Sequence, residues 1–64
     1  MNLQFKRHRE KLQECINSDD TEAVHIMADC VLCEIAKDAA SGFLTISEVI
    51  TLVGMYQEVD KWYA

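Results

Sequence analysis

Cys30-Val31-Leu32-Cys33 is a CxxC, the spacing that thiol redox chemistry and zinc binding share. In redox enzymes such a pair sits at a helix N-terminus, where the dipole lowers a thiol's pKa. Here it falls near the middle of a long apolar segment, where thiols stay protonated and inert. Zinc needs two further ligands within reach of the same ion. His25 is eight residues from Cys33, about 12 Å along a helix, too far to join it. The pattern therefore reads as core cysteines that behave as small hydrophobes, and no metal is expected.

Gly42-Phe43-Leu44-Thr45-Ile46-Ser47-Glu48 has the spacing of the second half of an EF-hand calcium loop. The first half fails, because Lys37 and Ala39 stand where oxygen ligands belong. A glycine stop followed by a capping box accounts for the same residues. No nucleophile motif and no glycine-rich phosphate loop is present. Neither a cofactor nor enzymatic activity is expected.

Lys6, Arg7, Arg9 and Lys11 supply four of the six basic residues. With Glu10 as the single acid among them, residues 1–12 carry +3, and the remaining chain carries −8. Charge runs of this kind are commonly solvated helix faces. These four residues can also grip phosphate or carboxylate groups by charge-assisted hydrogen bonds. Two copies in an oligomer would frame a pocket for an anionic small molecule, such as a signalling nucleotide. Tyr56, Trp62 and Tyr63 would offer a stacking surface for a base, or simply serve as core and interface aromatics. Nucleic acid is disfavoured as a partner. The acidic body repels phosphates, and Lys61 is the one basic residue in the third helical segment.

The elements that position these residues read as helices. The chain has 64 residues, half of them apolar, no proline and two glycines, Gly42 and Gly54. That composition is unlike a disordered chain and unlike a sandwich or barrel rich in turns. In the first segment, 3–16, Phe5, His8, Leu12, Cys15 and Ile16 share one side, and Asn17 serves as a left-handed stop. Asp19 with Glu22 forms a capping box for the second helix, 21–40. Thr45 with Glu48 forms another for the third, 46–63, with Leu44 and Val49 as a hydrophobic staple. The short connection through Gly42 predicts a tight antiparallel hairpin of helices two and three.

The second helix is apolar on two sides. Val24, Ala28, Val31, Leu32, Ile35 and Ala39 make one face, and Ala23, Ile26, Met27, Cys30 and Cys33 a second. In the third helix, Met55 and Trp62 widen the stripe of Val49, Leu52, Val53, Tyr56, Val59 and Tyr63. Two short companion helices cover one face of helix two well, but not both. A chain this size buries only about 60% of its unfolded surface, and small domains commonly rely on a partner.

The expectation is a single all-α domain over 1–64: a three-helix unit that assembles as a homo-oligomer. Met27, Cys30, Met55, Trp62 and Tyr63 form its interface. Its expected role is stoichiometric, through protein–protein contacts, as an inhibitor, adaptor or small regulator. The alternative is an oligomer that sequesters an anionic small molecule with Lys6, Arg7, Arg9 and Lys11. Three cysteines with no signal peptide point to a reducing cytoplasm, and no apolar stretch reaches membrane-spanning length.

Overall fold

The structure, a computed structural model, describes residues 2–60. Three helices, α1 (Leu3–Asn17), α2 (Thr21–Ala40) and α3 (Ile46–Glu58), each pack on the other two. His8 meets Asp38 and Lys11 meets Glu34, so α1 and α2 run antiparallel. Tyr56 meets Asp29, so α3 returns antiparallel to α2. No helix among the described residues is long and apolar enough to cross a membrane.

Local chemistry sets each helix end. Asn2 caps α1, its Oδ1 accepting from the backbone N–H groups of Gln4 and Phe5. Its Nδ2 donates to the Phe43 carbonyl and to Glu48 Oε1, which ties the start of α1 to the α2–α3 loop. Asp20 caps α2, with Oδ1 3.0 Å from the Ala23 N–H. The expected Asp19–Glu22 box is thus replaced by a single cap one residue later, because Asp20 directly precedes the first helical residue. Nor is Asn17 a left-handed stop. It is the last residue of α1, followed by extended Ser18, and only Gly42 has positive φ among the described residues.

The α2–α3 turn matches its sequence signals closely. Gly42 has φ of 82°. The Phe43 N–H donates to Asp38 O at 2.8 Å and the Gly42 N–H to Ala39 O at 3.2 Å, the paired bonds of a Schellman stop. Thr45 Oγ1 accepts from the Glu48 N–H at 3.1 Å, and Glu48 Oε1 accepts from the Thr45 N–H at 2.9 Å. Both halves of the capping box are made.

α3 is shorter than its hydrophobic stripe predicts. It ends at Glu58, and Val59 is extended, its N–H donating to Tyr56 O. Val59 still reaches the core from this extended backbone, which is why helical spacing alone carried it into the helix. Residues 61–64, including Lys61, Trp62 and Tyr63, lie outside the described residues.

The core comprises Leu12 and Cys15 of α1, Val24, Ala28, Val31 and Ile35 of α2, Leu44 of the turn, Leu52 of α3, and Val59. Phe5, Ile16, Val49, Met55 and Tyr56 pack around it. Each helix thus buries one stripe, and α2 buries the Val24–Ile35 face, as its periodicity implies.

Candidate functional site

Burying that face leaves the other one in solvent. Ala23, Ile26, Met27, Cys30 and Cys33 are all exposed, Ile26 to 60% and Met27 to 47%. Cys30 and Cys33, expected as core cysteines, are therefore surface residues: α1 and α3 cover the Val24–Ile35 face of α2, which leaves Met27 and Cys30 at the rim of an α1–α2 groove. Of the three cysteines only Cys15 is buried. The described residues include no group of three or more His, Cys, Asp or Glu side chains placed to hold a metal ion. Further large apolar side chains are exposed where the hairpin turns, at Phe43, Ile46 and Ile50. Met55 is half-buried and packs against the core.

The four basic residues of α1 do not share one surface. Residues 7 and 11 lie one turn apart on one side of the helix, and 6 and 9 lie together on another. Arg9 stands over the Phe5 ring, 5.5 Å from its centroid, a contact worth about 0.5–1 kcal/mol at an exposed site. It borders a cavity shared with Glu10, Gln13, Met55 and Glu58, on the α3 side. Lys6 is exposed.

Arg7 and Lys11 face α2 instead. With Gln4, His8, Glu34, Lys37 and Asp38 they line a groove of about 190 Å³ between the two helices. His8 is buried at the groove, with Nε2 2.6 Å from Asp38 Oδ2. Its Nδ1 is buried without a hydrogen-bond partner among the described residues. Lys11 Nζ lies 3.8 Å from Glu34 Oε2, both side chains more than half exposed. A pair of this kind contributes about 0–1 kcal/mol and is screened by salt.

No known protein family, characterised protein or solved structure matches the chain. Sequence reasoning found the apolar face of α2, but missed Lys37 as the companion of Arg7 and Lys11. The signal was present: Lys37 lies in the last turns of α2, which an antiparallel α1 brings beside residues 7–11.

A second polar cluster holds α2 to α3. Tyr56 donates its hydroxyl to Asp29 Oδ1, and His25 Nδ1 lies 3.8 Å from Asp29 Oδ2. A phenol held by a carboxylate is a structural tie. It also places Tyr56 against α2 rather than on an open stacking surface.

Proposed function

We propose that the chain is a non-enzymatic binding protein that acts stoichiometrically through protein–protein contacts, and that its first partner is a second copy of itself. The observation that supports this is the uncovered strip of Ala23, Ile26, Met27, Cys30 and Cys33. Contiguous apolar surface on a small monomer marks a contact site. The strip runs about 15 Å along α2, is apolar throughout, and so complements itself.

An antiparallel second copy with its two-fold axis between Met27 and Cys30 sets Met27 of one α2 against Cys30 of the other, and Ala23 near Cys33. It also opposes the two helix dipoles favourably. A short chain that buries a small core gains most from such a partner. Phe43, Ile46 and Ile50 remain open for a different protein, which suits an inhibitor, adaptor or small regulator. Two exposed thiols fit a reducing compartment such as the cytoplasm.

Light scattering over a concentration series tests the reading. A dimer or higher oligomer is expected for the native chain, and a folded monomer for the Ile26→Glu/Met27→Glu variant. A native chain that stays monomeric at the highest concentrations would sink the proposal.

A further inference from the structure

We infer that the α1–α2 groove is a binding site for a phosphate monoester group. Three cations converge on it, Arg7, Lys11 and Lys37, against two carboxylates, Glu34 and Asp38. Both carboxylates are engaged: Asp38 Oδ2 by His8 Nε2 at 2.6 Å, and Glu34 Oε2 by Lys11 Nζ at 3.8 Å. Arg7 and Lys37 have no ion-pair partner among the described residues. Lys6 and Arg9 make none either, so what sets Arg7 and Lys37 apart is that they line one groove together.

The groove itself carries a net side-chain charge of +1 on an otherwise acidic surface. A concave site concentrates such a field. Arginine presents a planar fork that matches phosphate oxygens, and lysine adds a compact charge. The Gln4 side-chain amide supplies a further donor at the rim.

Size defines the ligand class. At about 190 Å³ the groove is smaller than the roughly 300–1,000 Å³ of sites that enclose a whole small molecule. It accommodates an anionic head group and leaves the remainder of the ligand outside. Lys6 and Arg9 point elsewhere and take no part. Glu34 is the weak point of the site, since an incoming phosphate must compete with it for Lys11.

This inference does not require self-association: it rests on Arg7, Lys11 and Lys37, of which only Lys11 also borders Met27 and Cys30 of the apolar strip. The ¹⁵N-labelled chain is titrated with inorganic phosphate and with adenosine monophosphate, while amide shifts are followed by NMR. Sodium chloride at matched ionic strength is the control. Saturable shifts clustered around residues 7, 11, 34 and 37 are expected with at least one phosphate probe. The tighter of the two identifies free phosphate or a phosphorylated small molecule as the source.

Arg7→Gln and Lys37→Gln should each weaken binding about tenfold, as loss of a charge-assisted contact implies. Glu34→Gln should tighten it, a gain that no folding defect can mimic. Lys6→Gln/Arg9→Gln should leave it within about twofold, since screening weakens charges outside the site. Shifts matched by chloride, saturation by neither probe, or an affinity unmoved by Arg7→Gln, Lys37→Gln and Glu34→Gln would overturn the inference.

Discussion

His8 Nε2 and Asp38 Oδ2, 30 residues apart in sequence, meet at 2.6 Å and join the middle of α1 to the last turn of α2. The imidazole is buried, and the carboxylate is the more exposed partner. The contact fixes the register of the two helices beside the groove formed by Arg7, Lys11 and Lys37.

The costs of removing the two members of this pair should not add. Asp38→Leu leaves a buried ring nitrogen unsatisfied, a penalty of about 1–3 kcal/mol. His8→Leu/Asp38→Leu, which replaces both partners with apolar groups, should cost less than the two single changes combined. Urea unfolding with a common slope across the four proteins measures the difference. Additive costs would mean that the contact contributes nothing.

How far the fold was legible follows from the range of its signals. Gly42, Thr45 and Glu48 lie within six residues of each other, and every bond that they predict is made. The two-faced pattern of α2 was legible because helical periodicity is local. Which of the two faces is buried was not, and Cys30 and Cys33 went to solvent when α1 and α3 both took the Val24–Ile35 side. The end of α3 escaped prediction because Val59 remains in the core from an extended backbone. The split of Lys6 and Arg9 from Arg7 and Lys11 was written in their spacing. The arrival of Lys37 and Asp38 beside Arg7 and His8 needed the crossing of two helices, which no window of sequence contains.

Glu48 gives the fold a sensitivity to acid. The Thr45 backbone N–H that its carboxylate accepts holds its pKa below the usual value of 4.5, with the side chains of Asn2 and Thr45 acting in the same direction against a smaller opposing effect of burial. A carboxyl group with a lowered folded-state pKa contributes stability that is present above its unfolded value. That stability is lost as pH falls through the folded value. Stability should therefore decline below about pH 4.5. Glu48→Gln should make that decline shallower, as read by urea unfolding from about pH 6 to about pH 3. Parallel pH profiles for the two proteins would refute the assignment.

The two glycines should respond to alanine with opposite signs. Gly42 has φ of 82°, a left-handed conformation that costs an L-residue about 1–2 kcal/mol. Gly54 lies inside α3, exposed, and a Cβ there meets nothing within 4 Å. Gly54→Ala should thus stabilise the chain by about 0.5–1 kcal/mol through helix propensity alone. Thermal unfolding of the two variants in dilute solution reads both. Destabilisation by Gly54→Ala would show that another backbone approaches α3 at that point.

Thiol labelling links the cysteines to the open face of α2. Cys15 is buried between the helices, whereas Cys30 and Cys33 are exposed. In dilute native protein, iodoacetamide should therefore modify Cys30 and Cys33 at rates near those of the unfolded chain and leave Cys15 untouched until the fold opens. A second copy seated on the strip of Ile26, Met27 and Cys30 would shield Cys30. Its labelling should then slow as concentration rises, while the Ile26→Glu/Met27→Glu variant keeps the fast rate throughout. Tandem mass spectrometry resolves the sites by their fragment ions, because Cys15, Cys30 and Cys33 share the single tryptic peptide 12–37. Rapid labelling of Cys15 in the native state would contradict the core described above. A Cys30 rate that never changes with concentration would contradict the proposed interface.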